Sequence, residues 1–178
     1  MGPGPFNGIV RMAILTGQRR DEVAGMTWAE LSDNAWTIPA SRTKNGATHI
    51  VPLSAQTQDL LRSPPQFGEL VFPGLRGPFN GWSKAKAALD VKSGVTNWRL
   101  HDLRRTAATG LQRLGVRLEV TEQVLNHVSG SRAGIVGVYQ RHDFALEKRA
   151  ALDAWGNHVL ALVEGLTTAD NVVELKRG

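Results

Sequence analysis

The 178-residue sequence contains no cysteine and a single tyrosine, Tyr139. The absence of cysteine excludes disulfide bonds, a thiol nucleophile and a thiolate metal site. Long hydrophobic runs are also missing: no stretch approaches the roughly 18 apolar residues that a membrane-spanning helix needs, and no apolar signal-peptide core follows the first residues. We therefore expect no membrane partner. The composition, 42% hydrophobic and 21% charged residues, is typical of a globular domain.

Metal-binding and nucleotide-binding motifs are absent as well. The five histidines are His49, His101, His127, His142 and His158. None of them occurs at HExxH or HxH spacing, and no GxxxxGK[ST] phosphate loop is present. The sequence therefore predicts a protein that works without a metal ion and without a cofactor.

Positive charge is concentrated in the first four fifths of the chain. Overall, 21 basic residues stand against 16 acidic ones, a formal net charge of +5. Residues 143–178 carry four basic and six acidic groups, which leaves the first 142 residues with 17 basic and 10 acidic groups. A basic body of this kind is typical of proteins that bind polyanions, although many basic proteins bind none.

Hydrophobic periodicity predicts an α+β fold that is mainly α-helical and has a small antiparallel β-sheet. The predicted strands are 34–39, 48–52 and a short one at 70–72. The predicted helices are 8–15, a short one after Arg19 through Met26, 54–61, 79–91, 101–114, 119–125 and 143–164.

The stretch 101–110 is the one around which the chain is organised. His101 and Arg104 lie three residues apart, so a helix presents both on one face. The fixed fork of donors on Arg104 suits the oxygens of a phosphate; alone, this pattern also fits a solvated charged face. The apolar stripe beside that face consists of Leu103, Ala107, Leu111 and Leu114.

Lys44 lies beside an Asn45-Gly46 pair, between the first two predicted strands. Asn-Gly is the strongest short hairpin signal, because both residues tolerate positive φ. We expect Lys44 to be carried on this turn, where it can reach outward and move. A lysine in a polar turn is, by itself, equally consistent with a side chain that is only solvated.

Three further residues stand at positions where chemistry is possible. Arg19 follows the helix stop at Thr16-Gly17, His127 follows the end of a predicted helix, and Tyr139 lies in a short apolar segment. Each also has a structural interpretation: Arg19 capping the preceding carbonyls, His127 compensating a helix dipole, and Tyr139 packing in the core.

Together, these motifs resemble the catalytic domain of the tyrosine recombinases, specifically the phage and genomic-island integrases. The family pattern is an Arg in a TGxRxxE context, a hairpin Lys, HxxR, a His and then a Tyr. All of these are present in order, from residues 16–22 to Tyr139. The chain departs from the pattern in two places: Asn126 stands where a Gly is usual, and Tyr139 follows His127 at a slightly long interval.

The resemblance implies a phosphate clamp. Arg19 and Arg104 would hold the two non-bridging oxygens of a DNA phosphodiester and stabilise charge in the transition state. His127 would donate a further hydrogen bond to the same phosphate. In the family pattern Glu22 is structural and supports the basic groups.

It also implies a nucleophile and proton carriers. Tyr139 would attack the phosphorus and form a covalent 3′-phosphotyrosine, while Lys44 would protonate the leaving 5′ oxygen. His101 would take the tyrosine proton or orient the phosphate. Further DNA contacts are expected from basic side chains near these motifs, namely Arg42, Lys84, Lys86 and Arg105.

We expect a catalytic domain over 8–164, a cloning scar or leader over 1–7, and a polar tail over 165–178. The N-terminal core-binding domain of the family is expected to lie outside this chain. The expected partners are double-stranded DNA attachment sites and, for the full-length protein, three further copies in a homotetramer. The expected location is the bacterial cytoplasm, at the nucleoid. A type IB topoisomerase and a non-catalytic DNA-binding protein remain alternatives.

The uneven charge generates a first prediction. Binding of this chain to a short DNA duplex should be weak, and the affinity should fall at least ~10-fold between about 50 and about 200 mM salt, because phosphate contacts release counterions. A fluorescence-anisotropy titration at several salt concentrations measures this. Nanomolar binding that is insensitive to salt would contradict it.

Overall fold

The computed structural model describes residues 4–32, 34–63, 66–127 and 144–166. Within these ranges the chain forms helices around a two-stranded antiparallel sheet, which confirms the mainly helical α+β prediction. None of the described helices is long and apolar enough to cross a membrane. The helices are α1 (Pro5–Thr16), α2 (Arg20–Ala24), α3 (Ala55–Arg62), α4 (Trp82–Ser93), α5 (Leu100–Arg113), α6 (Leu118–Val124) and α7 (Ala145–Val163).

Helix α1 begins at Pro5, so the predicted boundary at residue 8 was wrong. Proline is favoured in the first turn of a helix, because its missing N–H would have no intrahelical partner there. The helix ends as predicted at Gly17, whose φ of 69° lies in the left-handed region. The Gly17 N–H donates to the carbonyl of Ala13 at 2.9 Å.

The core lies where α1, α5 and α7 pack together. Trp155 of α7 is 3% exposed, and its indole N–H donates to the carbonyl of Ile14 at 2.7 Å. Leu111 and Leu152 are fully buried beside it. One member of the predicted apolar stripe, Leu114, is 40% exposed, because it follows the last residue of α5.

The sheet consists of β1 (Ala35–Ile38) and β2 (His49–Pro52), paired antiparallel with Ile38 opposite His49. The two strands agree with the prediction to within one residue at each end, and residues 39–48 connect them and include a 3-10 turn at Ala40–Arg42. Within this connection only Gly46 has positive φ. The third predicted strand is a single bridge between Thr27 and Leu70.

Gly110 generates a prediction about packing. A Cβ at this position would lie 2.0 Å from Trp155 Cζ3. Replacing Gly by Ala in a helix normally raises the free energy of unfolding by up to ~1 kcal/mol. Overpacking of a core lowers it by ~1–3 kcal/mol. Gly110→Ala should therefore lower the free energy of unfolding by about 1–2 kcal/mol, measured by urea denaturation. The control is Thr109→Ala, at an exposed position of the same helix; stabilisation by Gly110→Ala would contradict the prediction.

Candidate functional site

Arg104 connects the ends of two helices. Its guanidinium donates to the carbonyl of Gly17 at 2.8 Å and to the carbonyl of Leu125, and the residue is 7% exposed. Burial and, to a smaller extent, the nearby charge of Arg19 lower the pKa of Arg104 to about 10, while the charge of Glu22 acts in the opposite direction. The group therefore stays charged at neutral pH, held in a fixed orientation by neutral carbonyls.

Arg19 is fixed by the helix that follows it. Its Nη1 lies 2.9 Å from Glu22 Oε1, and its backbone N–H donates to Glu22 Oε2 at 3.0 Å. Because these bonds close the first turn of α2, Arg19 caps the start of that helix, and the alternative in which it caps the end of α1 does not hold. Glu22 is 5% exposed, and its predicted role in supporting basic groups is confirmed.

Arg19, His101 and Arg104 line one cavity of about 660 Å³. Its other charged lining residues are Arg20, Asp21, Lys86 and Arg99. The carboxylate of Asp21 is paired with Arg20 at 2.9 Å. In the ranges that the structure describes, no carboxylate forms an ion pair with Arg104. The cavity thus has an excess of positive charge and can take an anion.

Lys44 and His127 line neighbouring cavities. Lys44 is exposed and shares a cavity of about 370 Å³ with Arg19. His127 is exposed just beyond α6 and lines a cavity of about 350 Å³ together with His49 and Lys148. Arg19 thus lines both the Arg104 cavity and the Lys44 cavity, whereas His127 lines a third cavity that none of the other predicted catalytic residues lines. Tyr139 lies outside the described residues.

Two of the predicted DNA contacts are occupied within the protein. Arg42 forms an ion pair with Glu30 at 2.8 Å and donates to the carbonyl of Glu22 at 3.1 Å. Lys86 pairs with Asp90 at 2.7 Å and lies 4.9 Å from the ring centre of Trp98. The Lys86 ammonium group also donates to the carbonyl of Thr96 at 3.2 Å, in the loop that follows α4.

The other two predicted contacts are exposed. Lys84 lies on the outer surface of α4, and Arg105 lies one residue beyond Arg104 on α5. Arg105 pairs with Asp102 at 3.3 Å. A hydrogen bond from the backbone N–H of Arg99, followed by the interaction with Arg105, holds the pKa of Asp102 below its usual range.

Sequence reasoning missed Gln18 and His49. Gln18 is 1% exposed and its amide donates to the carbonyls of Val124 at 2.8 Å and Thr16 at 2.9 Å. His49 Nε2 lies 3.1 Å from the same Val124 oxygen. No signal in the sequence identifies His49, because its partner lies 75 residues away. Gln18 could have been suspected from its position inside the TGxRxxE stretch.

The His49 ring is neutral in the folded protein. Burial, together with the positive charges of Lys148, Arg104 and Arg19, lowers its pKa from 6.5 to about 4. The neutral ring can donate to Val124 when its proton is on Nε2. In the described ranges, no group of three or more His, Cys, Asp or Glu side chains could hold a metal ion.

Residues 6–145 match the model of the family described as "Phage integrase family". Among characterised proteins, the prophage integrase IntA of Escherichia coli is 31% identical over 159 residues, which are 85% of this chain and 38% of IntA. The chain therefore spans about two fifths of the length of that relative.

Solved structures show the same fold. An integrase from mycobacterium phage Brujita has a TM-score of 0.67 at 19% identity, over 86% of this chain and 52% of that one. A lambda integrase tetramer bound to a Holliday junction has a TM-score of 0.57 at 18% identity, over 72% of this chain and 42% of that one.

The burial of His49 generates a prediction about pH. Between pH 6.5 and about 4, the unfolded chain binds a proton that the folded chain does not, so the free energy of unfolding falls as the pH falls. The titration of His49 alone lowers the free energy of unfolding by about 3 kcal/mol by pH ~4. His49→Gln keeps an N–H donor but does not titrate, so its stability should fall less steeply in urea denaturation at several pH values. Parallel curves for the two proteins would contradict the prediction.

Proposed function

The chain belongs to the phage integrase family, and on that premise we propose that it is the catalytic domain of a site-specific recombinase. The proposed enzyme cleaves and rejoins DNA strands through a covalent 3′-phosphotyrosine intermediate, and thereby integrates or excises a phage or genomic island. One observation carries the proposal. Two arginines from distant parts of the chain line one cavity with His101, and the buried one, Arg104, is oriented by carbonyls.

The arginines are suited to a phosphodiester. Burying a cation is costly unless it is paired, and the charge of Arg19 raises that cost for Arg104. An anion that enters the cavity relieves both effects. We assign the two guanidiniums to the non-bridging oxygens, where donors already in place stabilise the charge of the transition state without reorganisation.

The remaining roles follow the order of bond changes. The Tyr139 oxygen forms a bond to phosphorus while the bond from phosphorus to the 5′ oxygen breaks. We assign Lys44 as the general acid that protonates this 5′ oxygen, because it is exposed beside Arg19. His101 takes the phenol proton or orients the phosphate, and His127 donates to the phosphate. In the second step a 5′ hydroxyl attacks phosphorus and releases Tyr139.

The proposed partners are double-stranded attachment sites and, for the full-length protein, three further copies of it. The fold shared with the lambda tetramer on a Holliday junction supports this. We propose that residues 8–164, extended at the start of α1 to Pro5, form the catalytic domain, and that a core-binding domain lies elsewhere in the protein. Exposed Lys84 and Arg105 are the proposed backbone contacts. We place the protein in the bacterial cytoplasm, where its DNA substrate lies.

Trapping on a nicked duplex tests the proposal. A suicide substrate loses the short 5′ strand after cleavage, so covalent complexes accumulate and migrate slowly on a denaturing gel. Tyr139→Phe removes one hydroxyl and should reduce these complexes ~10³-fold or more, while DNA binding stays unchanged. Because Tyr139 is the only tyrosine, mass spectrometry of the attached peptide assigns the nucleophile. Complexes that persist in Tyr139→Phe would exclude this residue as the nucleophile, and a wild-type chain that forms none would favour a non-catalytic DNA-binding protein.

A second assay distinguishes a recombinase from a topoisomerase. A recombinase exchanges strands between two duplexes, whereas a topoisomerase only relaxes supercoiled DNA.

A further inference from the structure

Two asparagines join the turn that carries Lys44 to the turn that carries His127. Asn45 Nδ2 donates to Asn126 Oδ1 at 2.7 Å, and Asn126 Nδ2 donates to Asn45 Oδ1 at 3.3 Å. The two residues are 81 positions apart in the sequence. Each is the immediate neighbour of one proposed site residue, so the amide pair spans the gap between the two turns.

Asn126 has a backbone that few residues adopt. Its φ of 49° lies in the left-handed region, where asparagine and glycine are the favoured residues. The conformation lets the His127 N–H return to the carbonyl of Glu122 at 2.9 Å, which completes the end of α6. A glycine would give the same backbone but no amide. The side chain of Asn126 is thus not needed for this turn, and it is free to serve the contact with Asn45.

The Lys44 turn is held on both sides of the lysine. Before it, the Thr43 hydroxyl lies 2.8 Å from the Ala47 carbonyl and 3.1 Å from the Ala40 carbonyl. After it, Asn45 Oδ1 accepts the Ala47 N–H at 3.2 Å in addition to the amide of Asn126. The bonds of Thr43 lie within the connection, and the amide pair joins that connection to α6. The sequence-based expectation of a mobile Lys44 turn does not agree with these anchors.

We propose that the Asn45–Asn126 pair is a positioning device that sets the place of Lys44 relative to the scissile phosphate. The proposal rests on the function proposed above. A general acid must lie within hydrogen-bond reach of the atom that it protonates, and lysine has a long flexible stem. The position of its backbone therefore decides how often the ammonium reaches the 5′ oxygen. Asn45 and Asn126 are positioning residues and do not touch the substrate.

The leaving group provides the test. In a suicide duplex whose bridging 5′ oxygen is replaced by sulfur, the thiolate leaves without a proton, so no general acid is needed. Asn126→Gly and Asn45→Ala should each slow single-turnover cleavage of the oxygen substrate by about 10-fold. On the sulfur substrate each should come within about twofold of the wild-type rate, as Lys44→Ala should also do.

A matched control is available between α3 and α7. Gln56 Nε2 donates to Asn157 Oδ1 at 2.7 Å, which is another exposed amide pair between two elements. Gln56→Ala removes that pair and should leave cleavage of both substrates unchanged. Equal slowing of the oxygen and sulfur substrates by Asn126→Gly would overturn the proposal, as would an unchanged rate on the oxygen substrate.

Trypsin gives a measurement that does not depend on catalysis. It cleaves after Lys44, which is exposed, and after Arg76, which is exposed in the loop before α4. In the DNA-free chain, Asn126→Gly should speed cleavage after Lys44 several-fold and leave cleavage after Arg76 unchanged. If the wild-type chain forms no covalent complex, the proposed function fails while this result still tests the anchoring of the turn. Equal proteolysis rates at Lys44 in both proteins would show that the pair holds nothing in place.

Discussion

The end of α6 is the point on which the arrangement of the site depends. The last carbonyls of any helix lack intrahelical partners and must find donors elsewhere. Here the donors come from three distant segments: Gln18 after α1 and His49 of β2 reach Val124, while Arg104 of α5 reaches Leu125. The same bonds that satisfy the helix end therefore hold α1, β2 and α5 together, close to the turn that leads into His127.

Arg104 serves this framework and the proposed chemistry with one guanidinium. Its donors to Gly17 and Leu125 fix its orientation, and the cation remains without a carboxylate of its own in the described ranges. A carboxylate partner would lower the cost of burial, but it would also compete with a phosphate for the same donors. Glu22 is near enough to favour the charged form, yet it is engaged by Arg19. Both guanidiniums are therefore held by hydrogen bonds, and the cavity that they line carries more positive than negative charge.

The polar contacts around the site also limit movement. Lys44 was expected to reach outward and move on an Asn-Gly turn, but hydrogen bonds of the Thr43 hydroxyl and the Asn45 amide hold this connection in place. Arg42, which was expected to reach DNA, instead binds Glu30 and the carbonyl of Glu22 at the foot of the same connection. The connection is thus held at Arg42 and at Asn45, and Lys44 lies between these two residues.

The sequence alone determined the helical periods, the helix stop at Gly17, the small sheet and the order of the motifs, because these depend on neighbours within a few residues. It also suggested Arg19, His101 and Arg104 as one group. Tertiary structure decided which cations remain exposed. Arg42 pairs with Glu30, 12 residues away, and Lys86 lies over the Trp98 ring in addition to its local pair with Asp90, whereas Lys84 is exposed. Tertiary structure alone disclosed Gln18, His49 and Asn45 as partners of the α6 end, because hydrogen bonds between residues about 75 to 106 positions apart leave no local pattern.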